Sequence, residues 1–432
     1  MSSNPYDQLP YRCQPIEWTA PERLALASLL HGGPCPDVRR CRVLELGCGD
    51  GSNLLPLAYY RRDAQFVGVD GAGSQIDIAR RRCERLQINN IEFLQLDIAA
   101  ADAALEGQFD FIIAHGIFSW VADDVRDALL ALCARRLTDN GLLYLNYNAR
   151  PGWNVRGMVR DYLLTQTASA QTLAQRAKEA QHAAARMAQA LAAESHPFSQ
   201  LMASEFRFVC DSHSSYVAHE YLAEHNRAYW RSEFTSMAAA AGFHPVVDAD
   251  FNYPSGRVNA DLPARLDAHG LAGQHVEDTV DLLTYRQLHS PVLSRQPVLA
   301  RPGADALGSL RMASCLTPLA ADKPGWFVHP NGFQVEAHEA PLRDALMMLG
   351  ERWPRSESVR TLLGDNERAV ADLLLLYQHG LIDLWLPEVP DVETPEQLNP
   401  LNQQELQWGG YYTTAQHQRI DLPSATGAER FA

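Results

Sequence analysis

The residues Glu45-Leu46-Gly47-Cys48-Gly49-Asp50-Gly51 follow an apolar run, Cys41 to Leu46, and lead into Leu54, Leu55, Leu57 and Ala58 at helical spacing. Glycine lets the backbone bend sharply after a strand and lets a ligand approach with no Cβ in the way. A dinucleotide site would space its glycines G-x-G-x-x-G and set a pyrophosphate on the helix N-terminus. Here the third glycine comes one residue early, and Glu45 and Asp50 bring negative charge into the turn. Carboxylates would repel a pyrophosphate, whereas they suit a ligand that carries a sulfonium and an ammonium. Asp70 ends the next apolar run, where an acid can take both hydroxyls of a ribose. Asp97 ends the run after that, at the height expected for an adenine ring. A nucleoside with no phosphate and a cationic tail is S-adenosylmethionine.

Those residues need strands to hold them. Cys41–Leu46, Gln65–Asp70, Ile91–Leu96, Phe109–Ala114 and Gly141–Tyr147 read as five short apolar strands. Helical stretches from Ser74 to about Leu86 and from about Asp123 to Leu137 alternate with them, the pattern of a parallel sheet covered on both faces. From about Ala168 to Glu194 the chain is rich in Ala, Gln and Arg without Gly or Pro, which predicts an inserted helical layer. Tyr229–Gly242 followed by Phe243–Asp248 returns to helix and strand, as if the sheet resumes. Residues 300–309, with Pro302, Gly303 and Gly308, read as a linker. Beyond it come a strand at Trp326–Val328, helices around Ala340–Leu349 and Val370–His379, then Gly380 and a strand at Leu381–Trp385, an ending that resembles a winged-helix module. The polar, proline-bearing tail from Pro390 is expected to be poorly ordered. The expected division is 1–160 for the cofactor-binding core, 161–205 for the insertion, 206–300 for the rest of the core and a regulatory region, 310–390 for the winged-helix-like domain and 391–432 for the tail.

The segment Val43 to Gly51 resembles the first motif of the class I methyltransferases, and Asp70 and Asp97-Ile98 match the acidic ends of their second and third strands. A Rossmann-like domain with a tight turn, or a dinucleotide dehydrogenase, is the competing reading. A closer resemblance is carried by Tyr6-Asp7-Gln8-Leu9-Pro10-Tyr11, His115-Gly116-Ile117-Phe118-Ser119-Trp120-Val121 and Tyr147-Asn148-Ala149-Arg150-Pro151-Gly152-Trp153 with Arg156-Gly157-Met158. Together they look like bacterial methyltransferases with an appended regulatory region, a group that includes the lysine methyltransferases of rickettsial outer-membrane protein. His219-Glu220-Tyr221-Leu222 and Val276–Gln296 resemble that group's middle region more loosely. The resemblance implies an α/β fold with a Rossmann-like class I methyltransferase sheet. The candidate cofactor-binding residues are Tyr11, Glu45, Gly47, Cys48, Gly49, Asn53, Asp70, Gly71, Asp97, Ile98, His115 and Gly116.

Methyl transfer from a sulfonium is an in-line displacement, so the protein chiefly aligns acceptor, methyl and sulfur and excludes water. A lysine acceptor must first lose its proton, which a dry aromatic pocket promotes, and aromatic faces attract the cation. Tyr11, Trp120, Tyr147, Trp153 and Tyr221 are candidates for that lining, with His115, Asn148 or His219 as hydrogen-bonding partners; ordinary core packing is the alternative for each aromatic. Tyr11, Trp120, Trp153, His219 and Tyr221 form the candidate catalytic set. Trp120 and Trp153 follow the fourth and fifth strands, at whose carboxyl ends ligands bind in open α/β sheets.

Composition narrows the partners. The chain has 432 residues, 46% of them apolar and 21% charged, enough for two or three domains. Its net charge of −15 argues against phosphate-backbone binding, so nucleic acid is not expected. Amino-methylating DNA enzymes carry [DN]-P-P-[YF] where this chain reads His115-Gly116-Ile117-Phe118, and Pro34-Cys35 lies before the first strand, misplaced for a cytosine nucleophile. No run is long and apolar enough to span a membrane, and the opening residues lack a signal pattern. The eight cysteines form no C-x-x-C pair, and His213, His219 and His225 miss metal-ligand spacing, so no metal is expected and a cytoplasmic setting is. Three functions remain: a protein methyltransferase acting on lysine, a small-molecule N- or O-methyltransferase with the extra helices as a lid, and an S-adenosylmethionine-sensing interaction protein.

Overall fold

In a computed structural model of the chain, residues 4–252, 261–271, 273, 275–298, 304–320, 322–389 and 398–421 are described. A seven-stranded sheet is built from β1 (Arg42–Leu46), β2 (Gln65–Asp70), β3 (Ile91–Gln95), β4 (Phe109–Ala114), β5 (Leu137–Leu145), β6 (His244–Asp248) and β7 (Pro291–Ser294), in the order 3-2-1-4-5-7-6. The first five strands are parallel, and β7 runs antiparallel to both β5 and β6. Val43, Leu44, Leu46, Phe111, Ile112, Leu142 and Leu143 are wholly buried, because helices cover both faces of the central strands. The strand order reverses between β1 and β4, which opens a crevice at their carboxyl ends where ligands bind. The strand at 291–294 was not anticipated from sequence; only its pairing with β5 and β6 gives it an identity.

The covering helices are α1 (Pro21–Leu30), α2 (Leu54–Tyr60), α3 (Gly73–Leu86), α4 (Asp123–Arg136) and α8 (Arg231–Ala240). Between β5 and α8 the chain leaves the sheet as α5 (Arg150–Gln166), α6 (Leu173–Leu191) and α7 (Pro197–Asp211). Of the helical layer expected from about Ala168 to Glu194, the structure forms α6. Thr172 and Gln175 start it with a capping box, and Pro197 starts α7. Alanines 177, 180, 184 and 188 form a buried small-residue stripe on α6, across which α7 packs closely. The apolar cluster that joins these helices runs from Val155 to Leu222, so the layer extends beyond 161–205 at both ends.

In the C-terminal part, residues 300–303 lie outside the described residues, and Ala304–Ser309 is a short helix where the linker was expected to continue. Arg311–Ala313 lies between the antiparallel strands Glu357–Ser358 and Asp383–Trp385, with α9 (Ala340–Arg352) and α10 (Glu367–Gln378) packed against them and a three-stranded sheet at 317–336 beside them. The expected disorder of the tail does not hold for residues 398–421. Residues 391–397 and 422–432 lie outside the described residues, but α11 (Pro400–Gly409) and the hairpin Tyr411–Thr413/Arg419–Asp421 fold back onto the cofactor-side half of the sheet. Their polarity serves hydrogen bonds rather than solvent: Asn402, Glu405, Thr413 and His417 are each at most 2% exposed.

Candidate active site

The loop after β1 turns on three glycines, with φ of +72° at Gly47, +52° at Gly49 and +77° at Gly51. Only glycine adopts that region without strain. Cys48 has its side chain under the loop against Gly68, where a Cβ would come within 2.9 Å of its sulfur, so only its backbone faces the crevice. Asp70 ties the loop to β2: its Oδ2 accepts from the Gly49 N–H at 2.9 Å and its Oδ1 from the Ala72 N–H at 2.8 Å. Burial raises the Asp70 carboxyl pKa, against the pull of those two N–H groups. Asp97 is exposed at the end of β3 and caps the turn Ile98–Ala101 through the Ala99 N–H at 2.8 Å. Gly71 is exposed beside Asp70.

Glu45 is 4% exposed. Its Oε1 accepts from Asn53 Nδ2 at 2.8 Å, while its Oε2 is buried with no partner among the described residues. Burial pushes its carboxyl up to about 8, with Asp70 and Asp50 adding to the shift and Asn53 opposing it. An orphaned, buried carboxylate oxygen beside a glycine cradle is an acceptor that the N–H groups of an ammonium would satisfy. The residues present therefore fit S-adenosylmethionine. Asn53, expected at the cofactor itself, is engaged elsewhere: its amide also bonds the Ile16 N–H at 2.9 Å, Thr19 Oγ1 at 3.1 Å and His417 Nε2 at 2.8 Å. With both ends of its amide taken by protein, Asn53 acts on a ligand only through Glu45.

At the carboxyl end of β4, His115 Nδ1 lies 2.8 Å from Tyr144 Oη and its Nε2 faces Asn146 Nδ2 at 3.5 Å. Asn146 Oδ1 accepts from the Gly116 N–H at 2.6 Å, and Gly116 has a φ of +70°. Burial lowers the His115 pKa to about 4, so the ring is neutral. Tyr147 and Asn148, weighed as acceptor-side residues, are instead core. Tyr147 stacks on Phe234 at 4.2 Å, and the buried Asn148 donates its backbone N–H to Ser119 Oγ at 2.9 Å.

The N-terminal segment crosses the crevice. Asp7 accepts from the N–H and hydroxyl of Ser74, and Cys13 fills the space that a Cβ on Gly49 would claim. At its far side Tyr6 stacks on His219 at 4.2 Å, with the ring planes 4° apart. His219 Nε2 donates to the Leu9 carbonyl at 2.6 Å, and burial lowers its pKa. Tyr11 tilts against His219 at 5.9 Å and bonds Glu220. His219, Glu220 and Tyr221 share a π-helical turn, Val217–Tyr221, of a kind often found at functional sites. Trp153 lies 6.1 Å from Tyr221 and 5.2 Å from Trp120 between ring centroids. Tyr11, Trp120, Trp153, His219 and Tyr221 are thus brought into one aromatic cluster. At its centre is Glu220, a residue the candidate set lacks. Burial pushes its carboxyl up to about 8, opposed by Arg156 and by the Tyr11 bond. Tyr221 Oη is buried with no partner among the described residues.

Comparison with known proteins follows the same division. A family model described as a methyltransferase domain matches residues 43–141. Residues 43–141 are a methyltransferase domain. The solved structure of PKMT2 from Rickettsia typhi superposes with a TM-score of 0.78 at 22% identity, covering 96% of this chain and 86% of that one; a second structure of that protein is a complex with AdoHcy. The fold of that protein is therefore shared across nearly the whole chain, and its central sheet contains the matched methyltransferase domain. An uncharacterized protein of Rickettsia prowazekii is 33% identical over 249 residues, which are 58% of this chain and 45% of that relative. A second from the same organism is 29% identical over 238 residues, 55% of this chain and 95% of the relative. The chain thus spans less than half of the first of these relatives.

Proposed function

We propose that the chain is an S-adenosylmethionine-dependent protein methyltransferase whose acceptor is a lysine side chain. When bound, S-adenosylmethionine supplies an activated methyl group on a sulfonium. Glu45 holds the cofactor's ammonium, the Gly47–Gly51 backbone lets it approach, Asp70 takes the ribose and Asp97 the adenine edge. Beside them, the rings of Tyr6, Tyr11 and Trp153 attract a cationic acceptor and exclude water. An ordinary lysine ammonium has a pKa near ~10.4, and a drier site brings it down. Glu220, with its pKa at about 8, is placed to take that proton and leave the amine lone pair free.

The observation that carries the reading is this meeting of an aromatic cluster, a carboxylate raised into the range of a general base, and the cofactor loop. Two further features support a polypeptide acceptor. An open surface depression of about 340 Å³, lined by Val121, Asp123, Arg126, Glu224, Asn226 and Arg227, adjoins Trp120 and Tyr221 in sequence and is not a sealed chamber. The fold is also that of a protein whose name marks it as a protein lysine methyltransferase. All eight cysteines are free, which suits a reducing cytoplasm as the site of action; no helix among the described residues is long and apolar enough to cross a membrane. The test is incubation with methyl-labelled S-adenosylmethionine, a dialysed lysate and its separate small-molecule fraction. Alkali-stable label in protein bands, mapped to lysine, is expected. Label confined to the small-molecule fraction would overturn the protein-acceptor reading.

A further inference from the structure

The C-terminal segment reaches the residues that flank the cofactor loop. Tyr60 Oη donates to the Thr413 carbonyl at 3.0 Å and accepts from Asn399 Nδ2 at 2.8 Å. Arg82, paired with Asp50 of the glycine loop at 2.8 Å, sits under the Trp408 ring at 4.2 Å. Arg12 donates to the Gly409 carbonyl and Arg419 to Gln14, so the N-terminal segment is held as well. At the tip of the hairpin, His417 is 1% exposed and takes a left-handed φ of +63°.

The hydrogen bonds around His417 fix its tautomer. The Ile16 N–H is a donor under all conditions, so Asn53 presents Oδ1 to it and, on the same side, to His417 Nε2 at 2.8 Å. Nε2 therefore carries the proton and donates. Nδ1 is left bare, buried and without a partner among the described residues, in keeping with a neutral ring. Asn53 Nδ2 then faces Glu45 Oε1.

We infer that residues 398–421 complete the cofactor site, and that His417 is a positioning residue that sets the Glu45 carboxylate through Asn53. This rests on the reading that Glu45 meets the cofactor, and the two can fail separately. His417→Gln keeps an N–H donor of similar reach; His417→Leu keeps the bulk without the donor. Both leave a branched or long side chain at the same left-handed position, so backbone strain is common to them. With S-adenosylhomocysteine as the probe in calorimetric titrations of the full chain, His417→Leu should weaken binding about fivefold or more, the loss of one net hydrogen bond. It should also shift the pH at which affinity levels off upward, because the Asn53 bond lowers the Glu45 pKa. His417→Gln should restore both. A purely structural role would lower the melting temperature without moving the pH profile, and that result overturns the inference. Glu45→Gln with undiminished affinity would instead overturn the underlying reading of Glu45. In the wild-type chain, S-adenosylhomocysteine should slow amide exchange across residues 411–419; unchanged exchange there also counts against the inference.

Discussion

At the scale of single residues, the site is governed by carboxylates forced to share a small buried volume. Glu45, with its pKa raised to about 8, is mostly protonated at neutral pH before a ligand arrives. A cationic ligand favours the ionised form, so binding must expel that proton. Affinity for S-adenosylhomocysteine should therefore rise as the pH climbs toward about 8 and level off above it, by at most tenfold per unit. Calorimetry in buffers of different ionisation enthalpy should find up to one proton released near pH 7, and Glu45→Gln should release none from this position. Asp70 plays the opposite part. Its oxygens already hold the Gly49 and Ala72 N–H groups and keep lone pairs for a ribose. Asp70→Ala should weaken binding tens-fold, since one charge-assisted hydrogen bond contributes roughly 1.5–3 kcal/mol. Unchanged affinity would place the ribose elsewhere.

At the scale of elements, function depends on turns rather than on the strands and helices between them. The π-helical turn Val217–Tyr221 presents Glu220 between Tyr11 and Arg156 while Tyr221 remains wholly buried. Glu220→Gln preserves shape and removes the base. It should lower kcat by about 10²-fold or more, the range of general-base catalysis, with little change in cofactor affinity. The pH–rate profile should lose its rise toward about 8; an unaltered kcat and profile would assign the proton to another acceptor. The first four strands were legible in the sequence because each is a short, largely apolar run that ends in, or just before, Gly, Asp or His. β2 and β4 fall on the residues read from that pattern, and β1 and β3 differ by one residue at an end. The glycine loop and Asp70 were legible for the same reason. Glu220, Asn146 and His417 carry no such local signal. Each gains its significance from a partner far along the chain, and His417 meets Asn53 across a separation of 364 residues. α7 was missed because its apolar positions serve α5 and α6 rather than the sheet.

At the scale of the molecule, the C-terminal part does not hang from the core as a separate bead. A single apolar cluster includes Leu24, Val43 and Phe66 of the sheet domain together with Leu346, Leu373 and Leu384 of the C-terminal part. The bridge is α1: Arg23 stacks over the Trp385 ring at 3.9 Å and bonds Glu17 at 2.8 Å, while Phe251 meets Tyr377 edge-on at 5.8 Å. Glu22 of the same helix pairs with Arg61, whose terminal nitrogen also donates to the Ala415 carbonyl at 3.3 Å. Domains joined by thin linkers unfold separately, but units that share one dry core lose their contacts together. Scanning calorimetry should accordingly show the sheet domain and C-terminal part melting in one transition, and Leu24→Ala, a deep truncation in the shared core, should lower that transition as a whole. Two well-separated transitions, with Leu24→Ala moving only one, would show the C-terminal part to be an independent module. S-adenosylhomocysteine at 100 times its Kd should stabilise the folded state by about 2.7 kcal/mol. If the clasp formed by residues 398–421 is part of the site, that stabilisation should reach the C-terminal part through the same core and raise the melting temperature of the joint transition rather than split it.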